Sequence, residues 1–294
     1  LSFSPNDIIK MIYQGILELH HSASNFWECY NERKELIQCI GKSDIQIADY
    51  CDWVLQKGKD AIYYLTDMST REINMIFRML NDYREVFSRD EIMEILKHIY
   101  FDLYQYLQPY DYKNQLLNKY FNEYKYQKVI NSISPDFLAL VEKQAKDRDY
   151  LRFLPARSEK IEAINMTKTI VYFIDAMGVE YLSFIMDQCR KYNLMAYTTL
   201  CHCEIPSITY KNKDFVKVFE NHGAVFAKDK NGIKSLDEIK HHGEEDFDYT
   251  NNKLPTYLAK ELQIIAEIIE RGASELQQFD RIVLISDHGA SRLS

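Results

Sequence analysis

The chain has 294 residues, 46% of them hydrophobic and 27% charged, which is enough apolar content to build a core and excludes disorder over most of its length. At roughly 100–200 residues per domain, that length allows two domains. The net charge of −8, with neither half basic, excludes a broad non-specific nucleic-acid surface, because such surfaces need clustered cations.

Tyrosine (22) and phenylalanine (15) are abundant while glycine (9) and proline (6) are scarce, which predicts long helices with short connections. Residues 1–150 read as one helix after another and predict an all-α domain. Ser4-Pro5-Asn6-Asp7 opens the first, with Ser as N-cap and Pro in the first turn, and Ile8, Met11, Ile12, Ile16 and Leu19 follow at helical spacing. Ser69 to Glu72 and Ser88 to Glu91 match the capping box, in which Ser and Glu satisfy each other's backbone N–H groups. Ile92, Ile95, Leu96, Ile99 and Leu103 then line one helical face, and Ser134-Pro135-Asp136 opens another helix. The dense rings between Tyr100 and Tyr126 could stack on bases, but without a basic excess they are read as core.

The grammar changes over residues 148–168. Thr169 to Ile174 is a β-branched and aromatic run of strand length, followed by Asp175-Ala176-Met177-Gly178 and a helix from about Val179 to Tyr192. Leu194 to Cys203 reads as a second strand and Ala224 to Phe226 as a third. Leu254 to Arg271 reads as a helix, and Arg281 to Ser286 as a buried strand. Strands alternating with helices predict an α/β domain over 165–294, with a mostly parallel sheet and helices on both faces. Ligands of such sheets sit beyond the carboxyl ends of the strands.

That rule selects Asp175 after the first strand and Asp287-His288-Gly289 after the last. Alone, the Asp reads as a helix N-cap and the tripeptide as a turn. Together they offer a divalent cation of zinc or manganese type two carboxylates and an imidazole. Ser207 and Thr209 lie in a loop at the same edge, where a hydroxyl beside a cation becomes a nucleophile; an ordinary Ser/Thr turn has the same pattern. Asp237 and His241, four apart, share one helical face and could hold a metal, although spacing alone favours a solvated charged helix. Cys201-His202-Cys203 alternates across the expected strand and is read as packing. The six cysteines form no CxxC pair, and no apolar run reaches the roughly 18 residues of a membrane span, so reduced, mostly buried thiols in a cytoplasmic protein are expected.

Asp-x-x-Gly at 175–178, Pro-x-x-Thr at 206–209, Asp-x-x-x-His at 237–241 and Ser-Asp-His-Gly at 286–289 follow the order of the alkaline phosphatase superfamily. Pro206 to Phe215 and Leu284 to Leu293, with the helix from Leu254 to Leu262, resemble the PglZ family, the phosphatase-like proteins of bacterial BREX phage-defence systems. The resemblance covers roughly residues 165–294. It implies an alkaline phosphatase-like core and a metal-dependent phosphatase or phosphodiesterase acting through Thr209, with Ser207 in reserve. One ion, zinc or else manganese or magnesium, would take Asp175, Thr209, Asp287 and His288, and a second would take Asp237 and His241. Lys211, Asn212 and Lys213 are the expected phosphoryl binders, from their place in the loop. A further histidine beyond the Asp-His-Gly completes the second site in the superfamily; with Leu1 in place of Met and an end just after a motif, the chain reads as part of a longer protein. The implied partners are a phosphate ester, either nucleic acid or phosphoprotein, and other BREX proteins, with no membrane. The alternative is an inactive scaffold that assembles other defence proteins through its aromatic-rich helical half.

Overall fold

The computed structural model describes residues 4–41, 44–162, 164, 166–227, 236, 239 and 254–289. They fall into two compact units, 1–104 and 105–294, so the helices from 105 onward group with the sheet and the composition change at 148–168 lies inside the second unit.

The first unit is helical throughout its described residues. It contains α1 (Pro5–Gln14), α2 (Phe26–Ile40), α3 (Asp44–Leu55), α4 (Thr70–Asp82) and α5 (Arg89–Ile99), with short 3-10 turns at Gly15–Glu18 and Gly58–Tyr64. The division falls within α6 (Phe101–Leu107). Ser4 and Ser88 close capping boxes with Asp7 and Glu91. Ser69 caps α4, but Glu72 folds inward, and its carboxylate accepts from the Thr66 backbone N–H and the hydroxyls of Thr66 and Ser69. Burial pushes the Glu72 carboxyl up, against the pull of Arg33 and these donors. Tyrosines tie the unit together: Tyr30 donates to the Leu65 carbonyl at 2.5 Å and Tyr50 to that of Tyr64 at 2.6 Å. The buried Arg33 guanidinium lies 4.2 Å from the Tyr50 ring centroid, an attraction strengthened where water is excluded.

The second unit is α/β. After α7 (Gln115–Val129), α8 (Pro135–Asp147) and α9 (Arg157–Ile161) comes β1 (Thr169–Phe173), then α10 (Leu182–Lys191), α11 (Thr209–Asn212), α12 (Phe215–Asn221) and β2 (Val225–Phe226). The described chain continues with α13 (Tyr257–Glu275) and β3 (Arg281–Ile285). The sheet has three parallel strands in the order β2-β1-β3, with Thr169 opposite Arg281 and Phe173 opposite Ile285. Alternate side chains of β1 face opposite sides. Val171 and Phe173 meet Phe215 and Phe219 of α12 and Ile161 of α9, while Tyr172 and Ile282 lie against Gly272 of α13. Helices thus cover both faces.

The expected strand over Leu194 to Cys203 is absent. The segment is extended coil with a single parallel bridge between Ala156 and His202. That bridge lies outside the three-stranded sheet, and Met195 and Tyr197 stand 83% and 88% exposed, so the segment's β-forming residues gain no packed sheet face. All six cysteines are free thiols, but only Cys51 and Cys189 are buried, because Cys201 and Cys203 lie half-buried in that coil rather than within a sheet. Among the described residues no helix is long and apolar enough to cross a membrane.

Among the described residues one Lys–Glu pair is fully internal. Lys128 on α7 lies 3.4 Å from Glu261 on α13, and Tyr181 donates to the same carboxylate oxygen at 2.5 Å. Burial opposes the Lys128 charge most strongly, but the facing Glu261 carboxylate together with Tyr124, Tyr181 and Tyr257 outweighs it and holds the ammonium well above the usual lysine range. A desolvated pair adds little over an apolar pair, yet half of one is costly. Lys128→Met alone is therefore expected to lower stability in urea unfolding by roughly 3–5 kcal/mol, and adding Glu261→Leu to recover part of that loss.

Candidate metal centre at the strand ends

The β1–β3 register carries Asp175 and Asp287 to the same edge of the sheet, and the Ile174 N–H continues the pairing to the Ile285 carbonyl at 2.9 Å. The chain then turns sharply. Ala176 is fully buried with φ of +60°, a left-handed conformation that costs a non-glycine residue energy and clusters at functional sites. This turn aims the Ala176 N–H at Asp287 Oδ1, 3.2 Å away, and the same oxygen accepts the His288 N–H at 2.8 Å. The glycines of the two motifs approach closely, since a Cβ on Gly289 would lie 3.1 Å from Gly178 Cα.

Four of the expected side chains converge here. Thr209 Oγ lies 3.3 Å from each oxygen of Asp175 and 3.2 Å from His288 Nε2. His288 Nε2 lies 3.8 Å from Asp175 Oδ1 and 3.2 Å from Asp287 Oδ2. Asp175, Asp287 and His288 each offer a ligand atom within 4.8 Å of the other two. His288 Nδ1 faces the Gly289 carbonyl at 3.3 Å, a contact that suits an Nδ1–H and turns the Nε2 lone pair inward.

This arrangement fits a divalent cation. Asp287 is 1% exposed, and its Oδ2 accepts no hydrogen bond from the described residues, His288 Nε2 being close but not in hydrogen-bond geometry. A buried carboxylate oxygen without a donor is costly unless a charge compensates it. Two carboxylates, an imidazole nitrogen and a hydroxyl form a hard-to-borderline donor set suited to zinc or manganese.

The remaining expected residues are placed differently. Ser207 is exposed on the loop, and Thr209 is the hydroxyl that faces the carboxylates. Lys211 and Lys213 are exposed. Asn212, expected among the phosphoryl binders, is fully buried with its amide committed to the loop. Its Oδ1 accepts the Glu204 N–H at 2.7 Å, and its Nδ2 donates to the carbonyls of Glu204 at 3.2 Å, Pro206 at 3.4 Å and Ile208 at 3.0 Å. Asn212 therefore shapes the turn that presents Thr209. Asp237 and His241 lie outside the described residues. Burial pushes the Cys201 and Cys203 thiols up, which suits packing better than thiolate ligation.

Sequence reading missed Arg157. Its Nη1 donates to the Asp287 carbonyl at 2.8 Å and its Nη2 to Asp214 Oδ1 at 2.6 Å, while the guanidinium centre lies 5.1 Å from the Phe215 ring centroid. One planar group thus fastens the Asp-His turn to the start of α12. Nothing local marks it, because 130 residues separate Arg157 from Asp287.

A family described as a domain of unknown function (DUF7863) matches residues 1–83. Neither a curated protein nor a solved structure matches the chain.

Asn212→Ala leaves the Glu204 N–H without its side-chain acceptor and the carbonyls of Glu204, Pro206 and Ile208 without the Nδ2 donor. The expected loss is roughly 1–3 kcal/mol in reversible unfolding, with zinc binding weakened as the Thr209 loop loosens.

Proposed function

We propose that the second unit is a metal-dependent phosphoric ester hydrolase in which Thr209 is the nucleophile. The observation that carries this reading is the convergence of Asp175, Thr209, Asp287 and His288 around a buried carboxylate oxygen that lacks a donor. The order of the four sequence motifs adds support from a separate direction.

A divalent cation bound by Asp175, Asp287 and His288 supplies charge neutralisation for the phosphoryl oxygens and a lower pKa for the hydroxyl beside it. The chain provides the rest. Asn212, donating to the Ile208 carbonyl just before α11, holds the Thr209 loop in place, and Asp175, 3.3 Å from Thr209 Oγ, takes the hydroxyl proton. Thr209 Oγ attacks phosphorus, the bond to the ester oxygen breaks, and the departing oxygen is protonated by water. Water then cleaves the phosphothreonine and restores the hydroxyl. Ala176 and Arg157 keep Asp287 oriented throughout, through its side-chain oxygen and its carbonyl. The resemblance to PglZ supports assigning such an activity to a cytoplasmic BREX phage-defence system, with a nucleic-acid phosphodiester or a phosphoprotein as substrate and other BREX proteins as partners.

Hydrolysis of p-nitrophenyl phosphate and bis(p-nitrophenyl) phosphate by the zinc- or manganese-loaded chain tests the reading. Thr209→Ala is expected to reduce kcat/KM by on the order of 10³-fold or more, while Ser207→Ala stays close to the parent. Chelation should abolish turnover and added metal restore it. Full activity in Thr209→Ala would remove that residue from the nucleophile role.

A further inference from the structure

Outside the strand ends, one other group among the described residues combines metal-ligating side chains at short range: His20, His21 and Asp60, all within the first unit. We propose that these three residues form a separate binding site for a divalent cation of the zinc class, with at least one coordination position open to water or an exchangeable ligand.

The backbone makes the site possible. Neighbouring residues in a helix or strand point their side chains apart. His20 and His21 instead sit in the turn after the 3-10 segment Gly15–Glu18, closed by the Ala23 N–H donating to the His20 carbonyl at 2.9 Å. Their ring centroids come within 4.5 Å of each other. Asp60 arrives from the other 3-10 segment, Gly58–Tyr64, and its Oδ1 lies 3.6 Å from His21 Nε2. Each of the three offers a ligand atom within 4.8 Å of the others. Two ligands, each about 2.0–2.1 Å from zinc at a tetrahedral angle, stand roughly 3.3 Å apart. The His21–Asp60 spacing is near that value already, and the exposed His20 ring can close the rest by rotation.

Three side chains, those of Tyr64, Lys57 and Tyr63, hold this geometry in advance. Tyr64 donates its hydroxyl to the Leu19 carbonyl at 2.8 Å, and Lys57 Nζ donates to the Leu17 carbonyl at 2.9 Å, so the residues just before the histidines are tied to the segment bearing Asp60. Tyr63 stacks flat on the His21 ring, with centroids 4.0 Å apart and planes 9° apart. Ser22 contacts the resting His20 ring, its hydroxyl 2.8 Å from Nδ1 and its backbone N–H donating to Nδ1 at 3.2 Å, a contact the ring leaves when it turns to the cation. Support of ligand rings by packing and outer hydrogen bonds is what metal sites require. An ion pair between His21 and Asp60 alone would need neither the second imidazole nor the folded turn. Two neutral imidazoles and one carboxylate leave a single negative charge, which suits a late first-row divalent ion, and three protein ligands leave a tetrahedral ion one position short.

The test counts zinc in the full chain after chelator stripping, reloading and dialysis, and measures zinc Kd by calorimetry. His20→Ala and Asp60→Asn are expected each to lose one equivalent, or to weaken one binding event at least tenfold, with unchanged far-UV circular dichroism. Asp287→Asn is expected to leave that equivalent in place, so failure of the strand-end centre and failure of this site give different counts. Zinc stoichiometry and Kd identical in the parent, His20→Ala and Asp60→Asn would overturn the proposal.

Discussion

The parallel pairing of β1 with β3 is the constraint on which the strand-end centre depends. Thr169 opposite Arg281 and Phe173 opposite Ile285 put the two strands in step, so the residues just past each strand emerge side by side. A shift of one residue would turn every β1 side chain to the other face. Val171 would leave the Phe215–Phe219 cluster, and Asp175 would lose its place opposite Asp287. Core packing on both faces thus sets the register, and the register sets the site.

Past the strand ends, geometry is held by backbone groups more than by side chains. The left-handed Ala176 presents its N–H to Asp287, Gly178 and Gly289 approach so closely that a Cβ at Gly289 would press on Gly178 Cα at 3.1 Å, and Arg157 grips the Asp287 carbonyl. Ala176 and Arg157 each fix one atom of Asp287 while leaving Oδ2 without a donor. A buried carboxylate oxygen of this kind is a candidate ligand for a divalent cation.

Buried polarity recurs in both units. In the first, Arg33 lies on Tyr50 and Glu72 collects three donors; in the second, Lys128 faces Glu261, and Lys125 reaches the Gln108 carbonyl and the Ser183 hydroxyl. The abundance of tyrosine follows from this style of core. Each ring supplies apolar area, and hydroxyls such as those of Tyr30, Tyr50, Tyr64 and Tyr181 satisfy carbonyls or carboxylates that helix ends and turns leave open.

What the sequence determined by itself was local. The caps at Ser4, Ser69, Ser88 and Ser134, the strands at 169–173 and 281–285, and the position of Asp175, Asp287 and His288 beyond them all follow from residue types a few positions apart. Tertiary structure decided whatever needed a partner far along the chain. Leu194 to Cys203 has strand composition but gains no packed sheet face, Asn212 looks like a surface amide but is consumed by its own loop, and Arg157 acquires a role only when Asp287 folds against it. The His20, His21 and Asp60 group is equally invisible in one dimension, because adjacent histidines ordinarily diverge and Asp60 is brought to them by the Lys57–Leu17 and Tyr64–Leu19 contacts, which span 40 and 45 residues of sequence. Propensity and periodicity act over a turn or two of chain, whereas hydrogen-bond partners and burial are allocated by competition across the whole fold.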